Sequence, residues 1–192
     1  MRALDGDAVR AAGTAVRELL DGVPDGDAEV PVMGSTVTAV GQHVATCLAW
    51  YAHDLAAGAQ ETSPADLVPL PEASLAVVGR TVGAWGEVLA RTVDGAAPED
   101  QGWHSHGVAD AAGFAAIGCA ELLVHGTDVA DALGLDWSPP ADVAAGVLGR
   151  LFPEVTGVED PIVGLLWATG RGDLPGRERR AGWTYAMVPS DD

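Results

Sequence analysis

Three side chains in the 192-residue chain stand out for the chemistry that their types and spacing allow. Glu121 and His125, in the run ELLVH, lie four residues apart. On a helix such a pair shares one face, with Cβ atoms about 5–6 Å apart, so both can reach a single ion. Phe114, Ile117 and Val124 lie on or beside that face, which makes it an inward one. A carboxylate buried there needs a cation, a basic side chain or a metal, because an unpaired buried charge is strongly destabilising. His43, between Val40, Val44 and Cys47, also faces inward. Two histidines and one glutamate leave coordination positions free, the composition of a catalytic zinc site and of a non-haem iron triad. Spacing alone leaves plainer readings open: a hydrogen bond within the helix for Glu121 and His125, and a satisfied core histidine for His43.

Other residues are weaker candidates. Asp128, three residues past His125, could accept a hydrogen bond from a ligand imidazole or be a solvated acid near a helix end. Arg171 and Arg80 could hold a substrate carboxylate or pair with surface acids. Cys47 could approach the metal from its place four residues after His43; a small buried hydrophobe is the plainer reading for it and for Cys119. His104 and His106 form an alternate pair in a loop that could chelate, or His104 could anchor that loop together with Trp103. His53 is read as solvated.

These residues must be positioned by helices. Val9, Ala12, Val16, Leu19 and Leu20 mark a helix from about Leu4 to Leu20. Gly22, Pro24, Gly26, Pro31 and Gly34 interrupt it. Thr36 is placed to cap a second helix that runs to about Ala57. A proline-containing connection leads to a third helix from about Glu72 to Val93, and Asp94 to Asp110 form a long loop. The fourth helix, about Ala111 to Leu135, is apolar nearly all round and so central. Ser138-Pro139-Pro140 reads as a cap with proline at the first helical positions, opening a shorter helix from Ala141 to Leu151. A last helix runs from about Pro161 to Thr169. The expected fold is all-α: a single domain over 1–192, with a four-helix bundle over about 4–135 and a helical extension over about 138–192. The long connection between the second and third helices suits an up-down-down-up order.

Composition narrows the partners. Hydrophobic residues make up 48% of the chain, enough for a core without disulfides. The formal net charge of −18 repels phosphate, which argues against nucleic acid and against anionic membranes. Two cysteines without motif spacing fit a reducing cytoplasm, and no apolar run reads as a signal peptide or a membrane span.

The segments STVTAVGQHVATCLAWYAHDL, GFAAIGCAELLVHGTDVADALGL, WSPPADVAAGVLGRLFP and GLLWATGRGDLPGR resemble the actinobacterial mycothiol-dependent maleylpyruvate isomerase N-terminal family, part of the wider DinB-like metal-binding superfamily. The resemblance implies a four-helix bundle holding a divalent metal through His43, Glu121 and His125. The metal is usually taken as Zn²⁺; Ni²⁺, Fe²⁺ or Mn²⁺ also suit these ligands. It further implies a metal-dependent S-transferase or isomerase that adds mycothiol, or a similar low-molecular-weight thiol, to a small electrophile. The other expectation is a non-catalytic metal- or small-ligand-binding module on the same scaffold. Oligomeric state is left open, with a homodimer possible.

Overall fold

A computed structural model describes residues 4–63 and 66–188. Among these the chain forms six α-helices, one 3-10 turn and two antiparallel two-stranded sheets. The first helix, α1 (Gly6–Asp21), starts where the Asp5 side chain accepts the Ala8 N–H at 3.0 Å. It buries Val9, Ala12, Val16, Leu19 and Leu20, the stripe that the sequence pattern marks. A hairpin follows, β1 (Glu29–Val30) against β2 (Ser35–Thr36), closed by the 3-10 turn Pro31–Met33. Gly34 leaves that turn at φ 58°, a left-handed conformation that glycine adopts without a Cβ penalty. Thr36 then caps α2 (Val37–Ala57), as expected, by accepting the Ala39 N–H at 3.3 Å.

α3 (Leu75–Gly95) begins three residues later than the pattern suggests, because a turn from Leu70 to Ala73 precedes its N-cap, Ser74. The loop expected from Asp94 to Asp110 holds a second hairpin, β3 (Gln101–Gly102) with β4 (Ala109–Asp110). Asp110 ends that hairpin and also caps α4 (Ala111–Leu133), accepting the Gly113 N–H at 2.8 Å. Gly134, at φ 61°, stops α4 two residues short of the expected end, and the Leu135 N–H turns back to the Ala130 carbonyl. The expected Ser138 cap is not made. α5 (Ala141–Leu151) starts after Pro140, whose carbonyl accepts from Val143 and Ala144. α6 (Pro161–Ala168) is capped by Asp160, with proline at its first position.

The facing residues fix the helix directions. Gly6 meets Asp94, Arg10 meets Glu87 and Leu20 meets Gly79, so α1 and α3 run oppositely. Gly41 faces Val78 near the starts of α2 and α3, and Ala56 and Thr92 share a groove near their ends, so these two run together. His43 faces His125 and Leu48 faces Gly118, so α4 runs against α2. α4 is the central element. From Gly113 to Ala130 only Glu121 on it is less than fully buried, and Phe114, Ile117, Leu122 and Leu123 join Leu48 and Leu89 in the core. α5 and α6 pack beside it, and the tail returns over them. The Ala186 N–H bonds the Leu151 carbonyl at 2.9 Å, and Arg150 donates to the Ala186 carbonyl at 2.7 Å and to Asp110 at 3.0 Å. No described helix is long and apolar enough to cross a membrane.

Gly102 docks the second hairpin on the helices. A Cβ there would lie 2.7 Å from the Leu55 Cα and 2.6 Å from the Phe114 ring. The Leu55 contact is backbone, so no rotamer change relieves it. Gly102→Ala is expected to cost about 1–3 kcal/mol, or about 2–4 °C of melting temperature per kcal/mol. Thermal unfolding followed by circular dichroism measures this, and an unchanged midpoint would refute the docking role.

Candidate metal centre

α2 supplies His43 and α4 supplies Glu121 and His125, one helical turn apart. The three offer ligand atoms that all lie within 4.8 Å of one another, and among the described residues this is the cluster of three or more His, Cys, Asp or Glu able to hold an ion. Glu121 Oε2 lies 3.1 Å from His125 Nε2 and 3.5 Å from His43 Nε2. Ligands about 2.0–2.1 Å from a tetrahedral zinc are separated by roughly 3.3 Å, which these two distances bracket. The imidazole rings stand edge to face with centroids 5.0 Å apart.

The surrounding bonds fix which atoms are free to ligate. His125 Nδ1 lies 3.0 Å from Asp128 Oδ2. An ionised carboxylate only accepts, so Nδ1 carries the proton and a neutral His125 turns the Nε2 lone pair toward Glu121. The other oxygen of Glu121 accepts from the Tyr51 hydroxyl at 3.1 Å. Glu121 Oε2 itself is buried without a hydrogen bond. A lone pair facing a carboxylate oxygen is repulsive unless a cation sits between or beside them, so the site needs protons or a metal.

Without a metal, protons meet that need. Hydrogen bonding to Cys47 and then to Glu121 pushes the His43 imidazolium up to about 9. Burial works against charge on His125, but its bonds to Asp128 and Glu121 outweigh it and push its pKa up to about 9. Burial likewise opposes ionised Glu121, yet the two histidines hold its carboxyl well below the usual carboxylate range.

The structure thus brings His43, Glu121 and His125 together and places Asp128 behind His125. Arg171 stands behind Asp128, its Nε 3.6 Å from Oδ2. Cys47 differs from the buried thiol expected: it is half-buried, with Sγ 3.7 Å from His43 Nε2, and outside the converging set. Cys119 is fully buried in the core. His104 packs edge-on against Tyr51 at 5.5 Å and stacks on His106 at 5.3 Å, while His106 Nδ1 lies 2.7 Å from the Thr184 hydroxyl. This pair ties the loop to α2 and to the tail, and the Trp103 N–H adds a bond to the Gly58 carbonyl. His53 is exposed, as expected, and also bonds Asp54 at 3.0 Å and packs on Trp50. Arg80 lines a groove between α1 and α3 and does not reach the site.

Beside the cluster is a cavity of about 210 Å³, lined by Met33, His43, Glu121, His125, Arg171, Trp183 and Tyr185 among others. Tyr51, Trp183 and Tyr185 went unmarked as site residues in the sequence. Tyr51 follows His43 by eight residues, a helical repeat that could have found it; the tail aromatics carry no such periodicity. Comparison of the chain with family models, with curated proteins and with solved structures found no match.

The raised histidine pKa values carry a pH dependence of definite sign. A group whose folded pKa lies near 9, above an ordinary 6.5, contributes stability that is full below 6.5 and lost as the pH rises through 9. The metal-free protein is therefore expected to lose thermal stability between pH 6.5 and 9. A bound metal replaces the protons, so the stabilisation by zinc should grow over the same interval. Melting curves with chelator and with zinc test this; a metal-free midpoint that stays level from pH 6.5 to 9 would contradict the geometry.

Proposed function

We propose that the protein is a metal-dependent S-transferase or isomerase that joins a low-molecular-weight thiol of the mycothiol type to a small electrophile. In this reading His43, Glu121 and His125 hold one divalent ion, most naturally Zn²⁺. The observation that carries it is the buried, unbonded Glu121 oxygen with two imidazole nitrogens converging on it beside a cavity. The antiparallel and parallel helix pairs support the up-down-down-up bundle of the DinB-like superfamily, and the convergence of His43, Glu121 and His125 supports the ligand set that the resemblance to the maleylpyruvate isomerase N-terminal family implies.

When bound, the metal would stabilise a coordinated thiol as its thiolate, the nucleophilic form, which is scarce for a free thiol at neutral pH. The residues of the chain do the rest. Asp128 holds the His125 proton on Nδ1, so that Nε2 is the ligating atom. Tyr51 fixes the Glu121 carboxylate by one oxygen and leaves the other for the ion. His43 is half exposed on the cavity side, which leaves an approach for the thiol. The apolar side chains of Val124, Trp183 and Met33 limit water around the electrophile.

Elemental analysis after reconstitution is expected to give one divalent ion per chain. His125→Ala should lose it while circular dichroism stays helical, because the core does not depend on the ion; outright unfolding would point to a structural staple. X-ray absorption at the metal edge should gain a sulfur ligand when mycothiol or glutathione is added, with Cys47→Ser as the control against an internal thiol. If neither thiol enters the coordination shell, the transferase reading gives way to the binding module.

A further inference from the structure

The groove between α1 and α3 takes no part in the metal centre. It encloses about 400 Å³ and is lined by Arg10, Arg17, Arg80 and Glu87 among others. Three arginines against one glutamate make this lining positive, in a chain whose formal net charge is −18. The one glutamate is already engaged, by Arg10 at 2.8 Å and by Arg91 at 2.6 Å. The floor of the groove is open. Gly13 and Gly86 are buried, yet a Cβ on either would meet nothing within 4 Å.

The charges in the groove follow a register that stops pairing halfway. A step of seven residues is about two helical turns and returns to nearly the same face. Seven residues on from Arg10 is Arg17, and seven back from Glu87 is Arg80. Because α1 and α3 run oppositely, both steps lead the same way along the groove. Where a second arginine–glutamate pair would fit, the helices present two arginines. The Arg17 side chain reaches across to α3, since a Cβ on Gly83 would lie 3.2 Å from its Cδ. Among the described residues neither Arg17 nor Arg80 has a side-chain hydrogen bond or an ion pair, whereas every other described arginine reaches a carboxylate or a carbonyl. Asp21, four residues on from Arg17 and 3.7 Å from a Cβ built on Gly79, bonds neither. Like charges lining one groove repel each other until an anion comes between them.

We propose that this groove is a second binding site, for a small dianion such as a phosphate monoester or a dicarboxylate, held by Arg17 from α1 and Arg80 from α3. It stands apart from the metal centre and does not depend on the thiol-transfer reading. A guanidinium presents a planar fork of donors that matches two oxygens of a phosphate or a carboxylate. Two such forks balance a double negative charge. The Thr14 hydroxyl lines the same groove and offers a further donor. The space over Gly13 and Gly86, beside Val9, takes the body of the ligand. A nucleic acid or an anionic membrane carries the same oxygens but brings an extended negative surface against a chain of net charge −18, which favours a small molecule.

The test is calorimetric titration of the full chain, stripped of metal so that no ion draws the probe, in a buffer free of oxyanions. Phenyl phosphate and succinate are the two probes. At least one is expected to bind at a single site per chain, and the tighter of the two assigns the phosphate or the dicarboxylate class. Arg17→Gln and Arg80→Gln should each weaken that probe about tenfold, while Arg179→Gln, in the tail, leaves it unchanged. Gly13→Leu keeps every arginine and fills the floor of the groove, and it should weaken the probe as well. Circular dichroism will show that the variants fold. If neither probe binds at millimolar concentration, or if Arg17→Gln and Arg80→Gln bind as the wild type does, the proposal fails. If Gly13→Leu binds as the wild type does, surface charge alone attracts the probe and the groove is not its site.

Discussion

A carboxylate taken out of water between two imidazoles cannot be left to itself, and the architecture around Glu121 follows from that constraint. Its two oxygens are treated differently. One is bonded to the Tyr51 hydroxyl, and the other is held 3.1 and 3.5 Å from the histidine nitrogens with no bond of its own. Protons on His43 and His125 or one divalent cation can balance it; apolar packing cannot. The competition between protons and metal is therefore part of the site. Because both imidazoles hold their protons to about pH 9, the window in which a metal must displace them lies above the one that ordinary histidines near 6.5 would set.

Small residues let the helices come close enough for this. A Cβ on Gly118 would lie 2.5 Å from the Leu89 side chain, and one on Gly41 would lie 2.7 Å from Val78. These glycines weaken the helices locally, but Gly118 lets α3 and α2 approach α4 so that Leu48 and Leu89 are fully buried, and Gly41 lets α2 approach α3. That packing sets the register at which His43 meets the Glu121 turn. The running directions matter equally. With α4 antiparallel to α2, a residue nearly two turns into α2 faces the middle of α4, and His43 meets Glu121 and His125 from the opposite helix.

The α4 half of the candidate metal cluster was legible because helical spacing is strict. Glu121 and His125 share a face whatever the fold, and Asp128 falls on the same side. Thr36 capped its helix as read, since a hydroxyl before an apolar periodic run has a local role that needs no tertiary context. The pairing of His43 with α4 was not legible from spacing; it is a tertiary contact that only the resemblance suggested. Ser138 failed as a cap because two prolines stand between it and the first helical turn. Cys47 is half-buried where a buried thiol was expected, because its place on the stripe of α2 says which way it faces, not how completely its neighbours cover it. The cavity wall was least legible. Trp183 and Tyr185 come from a segment without regular structure, held by Arg150, His106 and the Leu151 carbonyl through contacts distant in sequence.

The distribution of unmet hydrogen bonds singles out the same place without reference to any ligand. The starts of α1, α2, α4 and α6 are capped by Asp5, Thr36, Asp110 and Asp160, and the tail is held by Arg150. Among the described residues three buried side-chain atoms lack a partner: Glu121 Oε2, Arg171 Nε and Arg180 Nη1. Arg180 stacks on Phe152 and Trp167 and pairs with Glu154, so its loss is small. The other two belong to residues that line one cavity, Glu121 and Arg171. Native interiors leave few such atoms. Arg171 Nε already faces the Asp128 carboxylate at 3.6 Å, so the atom whose need goes unmet is Glu121 Oε2, and that need is for a cation at the point where His43 and His125 converge on it.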